Sequence, residues 1–398
     1  MISAQSQDLI KKYFPQAFYL NKKAAVPVVT QTPASATIPN IAQTAKPSFG
    51  INGFGRIGRT ATRVWWQFYQ DQADLKVINT SGSMDLEDWA HLLKYDTNYG
   101  VFPFEISTQP HLSKKEVTDD DPVLGTIILK DLASNKQASI IVTAQRDPAK
   151  IPWGKFGVQT VVESTGAFVK KEKAEAHLLS GAQKVIISAP PKGGGVSTSV
   201  IGVNEFTAGE KIVSNASCTT NCIAPVVKIM ADNFGITKAF LTTIHSYTDD
   251  QNLQDNSHKD LRRARSAAEN IVPTSTGAAI SVTEIIPEVK GVFDGLAVRV
   301  PTPVGSLSDM VFLLKRKTSI EEINEVFKKA AASTRWQGIL AVTEEPIVSS
   351  DIIGRRESSI VDLSLTNVID GDFVKIIAWY DNEWGYCCRL IEQLSKLK

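Results

Sequence analysis

Hydrophobic and polar positions along this chain fall into two regimes. In the first, short apolar runs are bounded by glycine, proline or polar clusters: FGIN (49–52), DLKVINT (74–80), ASIIVTA (138–144), TVVEST (160–165) and KVIISAP (184–190). These have the composition of buried strands. Stretches of helical character separate some of them, RTATRVWWQFYQ after the first and KKEKAEAHLLSG before the last. Strand, glycine turn, helix and strand make a βαβ beginning, and its continuation suits a mostly parallel, doubly wound α/β sheet. The segment 103–137 is looser, carries the acidic TDDDP (118–122) and reads as a surface hairpin or insertion. From about residue 237 the strands lengthen, in AFLTTIHSYT, GLAVRVPTP, SDMVFLLKRK and FVKIIAWYD. With few helices between them, they predict a second domain of α+β type built on a large mixed or antiparallel sheet.

The first 48 residues fit neither regime. They hold one acidic residue, Asp8, and five lysines, and run into a segment rich in Ala, Thr and Pro, which reads as an extension and linker. Poverty in acid is compatible with a transit peptide, but missing arginine and scarce serine speak against one. The expected location is therefore cytoplasmic, with an organelle as the alternative.

Over 398 residues, 43 Lys+Arg balance 42 Asp+Glu. No global field draws nucleic acid or an anionic membrane, so nucleic acid is not expected as the main partner and any anion must meet a local site. No run of about 18 apolar residues predicts a membrane span. The four cysteines, at 218, 222, 387 and 388, are no disulfide framework in a chain this long.

Two stretches carry candidate chemistry. In GFGRIG, Gly53, Gly55 and Gly58 stand at G-x-G-x-x-G spacing between a strand and a helix: the first permits the tight turn, the second lets backbone approach a pyrophosphate, the third lets helix meet strand. In SNASCTTNC (214–222), Cys218 and Cys222 lie one helical turn apart. Without a second Cys/His pair this is no zinc signature, and a bridge within one turn would need an unusual backbone. Cys222 is assigned to packing. Cys218 precedes a helix-like apolar run, so it falls at a helix N-terminus, where unpaired N–H groups and the dipole favour a thiolate. Of the five histidines, His245 ends a strand amid hydroxyls and is the candidate base; His91 and His177 suit structural roles, and His258 lies in a polar loop.

INGFGRIGR, SNASCTTNC, HSYTDDQ, LRRARSAAENIVPTSTGAA, VRVPTP and WYDNEWGY together resemble, in order, the motif series of phosphorylating glyceraldehyde-3-phosphate dehydrogenases, over about residues 49–398. The resemblance implies NAD(P)-dependent oxidation of glyceraldehyde 3-phosphate with inorganic phosphate, through a thioester on Cys218 with His245 as base, in glycolysis, gluconeogenesis or carbon fixation. It implies a homotetramer, and phosphate positions made by Ser217, Thr219, Thr248, Arg263, Thr276, Gly277 and Arg299. It places the cofactor against Gly53, Gly55, Arg56, Ile57, Gly58, Ser164 and Thr165, with Asn382 on the nicotinamide amide and Tyr386 beside it. The domains then divide as an extension (1–48), a Rossmann-type dinucleotide-binding domain (49–217, completed by 382–398) and a catalytic domain (218–381). A sister family oxidises erythrose 4-phosphate and commonly departs at the positions of Thr248 and Thr276-Gly277, so their presence favours the three-carbon substrate.

Cofactor choice is where the chain departs most from the fingerprint. The second strand ends in INTSGS, with Thr80 where the family usually carries an aspartate that meets the ribose hydroxyls and repels a 2′-phosphate. Ser81, Ser83 and Arg146 could serve the adenosine side, and Ser257 resembles a serine that reaches a neighbouring subunit's 2′-phosphate in photosynthetic members. The expectation is use of both cofactors with NADP favoured; the alternative is that Asp85 replaces the missing carboxylate and NAD is retained.

Overall fold

The computed structural model describes residues 46–207 and 209–397. The readings for the extension before residue 46, transit peptide included, lie outside the described residues.

The N-terminal half builds a nine-stranded sheet from β1 (Ser48–Asn52), β2 (Asp74–Thr80), β3 (Glu105–Pro110), β4 (Val123–Asp131), β5 (Lys136–Ala144), β6 (Thr160–Glu163), β7 (Lys184–Ile187), β8 (Ser197–Thr198) and β9 (Ile212–Ser214), in the order β8-β9-β7-β6-β1-β2-β5-β4-β3. The strands from β8 to β5 run parallel, and β1 has every residue buried, as expected of a strand covered on both faces. The loose segment 103–137 forms β3 and β4, an antiparallel hairpin that extends this sheet beyond β5. Helix α1 (Arg56–Val64) follows the glycine turn directly, and the chain widens to a π-turn over Trp65–Tyr69 where the periodicity reads as uninterrupted helix. Helix α2 (Leu86–Lys94) follows β2, and KKEKAEAHLLSG folds as two short helices, α3 (Lys171–Ala174) and α4 (Ala176–Leu179).

The second sheet has eight strands: β10 (Ile236–Ser246), β11 (Val272–Ser275), β12 (Phe293–Val300), β13 (Ser306–Leu314), β14 (Leu340–Thr343), β15 (Ser359–Asp362), β16 (Asn367–Ile369) and β17 (Phe373–Tyr380). It is mixed: β10 and β12 run parallel, while β10 pairs antiparallel with β13, and β13 with β17. Strand β13 alternates buried and half-buried residues throughout, the mark of a sheet with one face on a core. Helices α5 (Cys218–Phe234), α6 (Ala278–Ile285) and α7 (Ile320–Ala331) supply the partners in that core.

The C-terminal helix α8 (Trp384–Lys396) returns to the first sheet, burying Tyr386, Leu390 and Leu394 in the same core as Ala61 and Val64 of α1. Its start is fixed by Asp381, whose Oδ1 accepts from the N–H groups of Glu383 at 2.9 Å and Trp384 at 2.7 Å. Cys218 is half-buried and packs against both cores, so the thiol lies on the seam between the two sheets.

Candidate active site

A cleft of about 1230 Å³ runs along that seam, from the carboxyl ends of β1, β2 and β6 to Cys218 and His245. In β1 the chain reaches a switch point, with β2 on one side and β6 on the other, where open α/β sheets hold their ligands. The glycines of the turn behave as the spacing demands. Gly53 has φ 96°, and a Cβ there would lie 2.8 Å from the Thr165 nitrogen. A Cβ on Gly58 would lie 2.1 Å from the Gly53 carbonyl oxygen, so only glycine lets α1 approach β1. Gly55 meets nothing within 4 Å and lines the cleft, leaving backbone open to a ligand. This cradle fits a dinucleotide pyrophosphate at the N-terminus of α1.

The strand ends beneath the cradle are tied by a buried network that the sequence reading missed. Glu163, ending β6, accepts from Asn52 Nδ2 at 2.6 Å and from the Thr165 backbone at 2.8 Å. His177 lies 2.9 Å from the same carboxylate, and its Nδ1 accepts from Trp153 Nε1 at 3.1 Å, so Nε2 carries the proton and donates to Glu163. A glutamate ending an apolar strand run was the available signal, since a buried carboxylate requires partners. His177 is structural, as expected.

At the other end, α5 places the thiol. Ser217 caps the helix by accepting from the Thr220 N–H, and Cys218 is the first helical residue. Ala216 stands at φ 56°, a costly conformation for alanine, held by its N–H on Ser214 Oγ at 3.0 Å and by the Tyr386 hydroxyl on its carbonyl at 3.1 Å. Pro225 lies inside the 17-residue helix without ending it. Cys222, a turn on, is fully buried, its thiol pushed up to about 12 by desolvation.

Cys218 Sγ lies 3.4 Å from His245 Nε2. His245 Nδ1 meets both the Ser246 carbonyl at 2.7 Å, which can only accept, and Arg299 Nη1 at 2.9 Å, which can only donate; the shorter contact places the ring proton on Nδ1 and leaves Nε2 to take the thiol's. Arg299, in register with His245 on the neighbouring strand, donates to the same carbonyl at 2.9 Å. Desolvation is the largest influence on both reacting groups. It pushes the thiol up, against Arg299 and hydrogen bonds from Thr219, and it lowers the imidazole to about 3, with Arg299 adding to the effect. The expectation that the helix N-terminus sets a depressed thiol is thereby corrected, because burial outweighs it. Burial opposes charge on either group alone, and transfer of the S–H proton to Nε2 forms the two charges as an adjacent pair. Tyr380, buried beneath, joins Thr219 Oγ1 at 3.0 Å and Thr243 Oγ1 at 2.8 Å and packs edge-on to the His245 ring; it stood unremarked inside WYDNEWGY.

The cleft brings together Gly53, Gly55, Arg56, Ile57, Thr80, Ser81, Arg146, Ser164, Thr165, Ser217, Cys218, His245, Thr248, Arg299, Asn382 and Tyr386. Several do so in unexpected ways. The Arg56 guanidinium is committed to Asp96 and Glu383, leaving its backbone for a ligand. The buried Thr80 hydroxyl donates to the Thr143 carbonyl at 3.0 Å and accepts from the Gly82 N–H, so it is not free for a ribose. Asn382 is oriented by its Oδ1, which accepts from the Gly305 N–H and from Ser306 Oγ, each at 3.0 Å; its amide N–H groups remain as donors.

Six predicted residues, and Ser83 of the adenosine-side set, do not line the cleft. Gly58 packs helix on strand, and Thr219 turns its hydroxyl to Tyr380. Arg263 is held by Asp250 and Thr274, and Thr276 accepts from the Ala278 N–H beside Gly277, at the start of α6. Ser257 lies in the exposed loop, its N–H on Asn256.

A dinucleotide cradle and a cysteine–histidine pair on one cleft define an NAD(P)-dependent oxidoreductase. The description "Glyceraldehyde 3-phosphate dehydrogenase, NAD binding domain" matches residues 48–171, and "Glyceraldehyde 3-phosphate dehydrogenase, C-terminal domain" matches residues 217–382. Similar curated proteins include the glyceraldehyde-3-phosphate dehydrogenases of Streptomyces coelicolor, 47% identical over 86% of this chain and 96% of that protein, and of Mycobacterium tuberculosis, 49% identical over 87% and 97%. That of Zymomonas mobilis is 45% identical over 87% and 97%. The chain belongs to the glyceraldehyde-3-phosphate dehydrogenase family. Among the described residues no helix is long and apolar enough to cross a membrane.

Proposed function

We propose that the protein catalyses the phosphate-dependent oxidation of D-glyceraldehyde 3-phosphate to 1,3-bisphosphoglycerate through a thioester on Cys218. The observation that carries this is the 3.4 Å approach of Cys218 Sγ to His245 Nε2 at the end of a cleft that begins in the glycine cradle. Sγ attacks the aldehyde carbon, the carbonyl pair moves to oxygen, and the thiol proton passes to Nε2. The backbone N–H of Cys218, unused at the helix start, and His245 stabilise that oxygen. Bound NAD(P) supplies the hydride acceptor. His245 returns its proton to that oxygen, making the hemithioacetal hydroxyl; as hydride leaves carbon, Nε2 takes the hydroxyl proton back, the C=O bond re-forms and the thioester results. A phosphate oxygen then attacks the thioester carbon, the C–S bond breaks, and Cys218 regains its proton.

Ser217, Thr248 and Arg299 hold anions at this end, and Asn382 holds the nicotinamide amide. Arg263, Thr276 and Gly277 join them once Asp250 yields Arg263 to the substrate phosphate. The same reading takes both cofactors with NADP preferred, because the strand that usually ends in a carboxylate ends in Thr80. The assembly is a homotetramer located in the cytoplasm; Phe240 and Leu296, exposed on the paired strands β10 and β12, are suited to cover by further copies.

Purified protein should reduce NADP and NAD with glyceraldehyde 3-phosphate and phosphate, and kcat/KM should favour this aldehyde over erythrose 4-phosphate. Preference for the four-carbon sugar, or turnover indifferent to phosphate, contradicts the reading.

A further inference from the structure

The alternative carboxylate at the adenosine end, Asp85, does not line the cleft. Its Oδ1 accepts from the Lys114 backbone N–H at 2.6 Å, and its Oδ2 lies 3.8 Å from Lys114 Nζ. Lys114 comes from the loop joining β3 to β4, the segment read from sequence as an insertion. The loop is braced locally: Glu116 accepts from the Ser113 N–H at 2.9 Å and from its hydroxyl at 2.7 Å. It is also tied to the segment that follows β5, where Asp119 accepts from Gln145 Nε2 at 2.9 Å and pairs with Lys150. Lys114 is thereby anchored by its own backbone to the loop that follows β2, and its Nζ donates to the Ser83 carbonyl at 3.3 Å.

On the opposite flank of that loop, Arg146 Nε donates to the Ser81 carbonyl at 3.3 Å. The exposed hydroxyls of Ser81 and Ser83 on this loop are hydrogen-bonded to each other at 3.0 Å; Ser81 and Arg146 line the cleft, and Ser83 and Lys114 lie outside its lining. Two cations thus hold carbonyls of one loop that carries two exposed hydroxyls. The facing acids are already engaged: Asp85 by Lys114, Glu116 by Ser113, Asp119 by Lys150 and Gln145, and Asp147 by the Ala149 N–H. Such a donor set, a planar guanidinium, an ammonium and paired hydroxyls, matches a phosphate monoester at the end of a strand whose neighbour would otherwise receive a ribose.

We propose that Lys114 is a specificity-determining residue that, with Arg146, Ser81 and Ser83, binds the 2′-phosphate of NADP, giving up its contact with the Ser83 carbonyl to do so. This rests on the reading that the cleft takes the adenosine half of the cofactor at the end of β2. It adds a cation from the hairpin, which the family fingerprint does not include.

Direct binding to the intact protein separates the two ideas, with adenosine 2′,5′-bisphosphate and adenosine 5′-monophosphate as probes read by calorimetry. The unaltered protein should bind the bisphosphate more tightly. Lys114→Met should weaken the bisphosphate by about tenfold, as the loss of one charge-assisted bond, and leave the monophosphate within about twofold. Lys114→Arg should restore most of the difference, and Asp85→Asn, which removes the competing carboxylate, should tighten the bisphosphate alone. If the unaltered protein binds both probes equally, the NADP reading falls and this proposal with it. If its preference persists undiminished in Lys114→Met, or both probes weaken together, the role of Lys114 falls while the NADP reading stands.

Discussion

The two ends of the cleft solve opposite problems. At the thiol end the reacting groups lie at the inner end of the cleft, Cys218 half-buried against two cores and His245 buried, and desolvation holds the Cys218 thiol above its ordinary value and the His245 imidazole well below its own. At the adenosine end the groups are loop side chains, Ser81, Ser83 and Arg146, all exposed. Buried chemistry gains strength from a low dielectric and accepts few substitutions; an exposed anion site works through screened charge and can be retuned one side chain at a time. On the proposed function, reaction type is built into the seam between the sheets, and cofactor choice into the loops after β2 and β5.

The sharpest way to break this contrast is at the two cysteines a turn apart. Cys218→Ser should lower kcat by more than about 10³-fold, since no other thiol faces the cleft. Cys222→Ser should leave kcat within about twofold and instead cost about 1–3 kcal/mol of stability, because a hydroxyl replaces a thiol in a fully buried site. Equal losses of kcat in the two variants would remove the distinction between reacting and packing thiols.

A smaller effect is expected from His245→Asn, about 10²–10⁴-fold in kcat. Its diagnostic is pH. With Nε2 present, the thiol proton has an acceptor at 3.4 Å and alkylation of Cys218 proceeds at neutral pH. Without it, burial still outweighs Arg299 and the Thr219 hydrogen bonds, so labelling should shift upward in pH, past the ordinary thiol value of about 8.5. Labelling that keeps its rate and pH dependence would restrict His245 to the hydride step.

At the adenosine end, Thr80→Asp sharpens the comparison from the other side. It introduces the carboxylate that repels a 2′-phosphate, and the kcat/KM ratio should move toward NAD by at least about tenfold with kcat little changed. The new carboxylate must replace a buried hydroxyl that binds the Thr143 carbonyl, so a stability loss of about 1–3 kcal/mol accompanies the switch. Strong NAD selectivity in the unaltered protein would show that Thr80 does not set the preference.

Much of this architecture was legible in the pattern of residues. DLKVINT marks β2 to the residue, and FGIN, ASIIVTA and TVVEST each overlap the strand that forms there, because apolar runs in a sheet covered on both faces leave an unambiguous trace. Cys218 at a helix start and His245 near a strand end follow from the same local rules. What local pattern could not show depends on meetings between distant segments. The neutralisation of Asp85 by Lys114 spans a hairpin whose register no periodicity fixes, and the grip of Asp250 on Arg263 turns a residue expected at the substrate into one held beside the cleft. The balance at Cys218 was misjudged for a related reason: helix position is a local property, whereas the desolvation that outweighs it comes from two cores and the C-terminal segment.

The claim that joins both ends is that a thioester on Cys218 links oxidation to phosphate. It is tested most directly by mixing the protein with glyceraldehyde 3-phosphate and NADP in the absence of phosphate, following reduced cofactor and then weighing the chain. One equivalent of reduced cofactor per chain should appear in a burst. A single acyl group should map to the peptide containing Cys218, and phosphate should release it and restart turnover. Continued multiple turnover without phosphate, or an acyl group on any residue other than Cys218, would contradict the account.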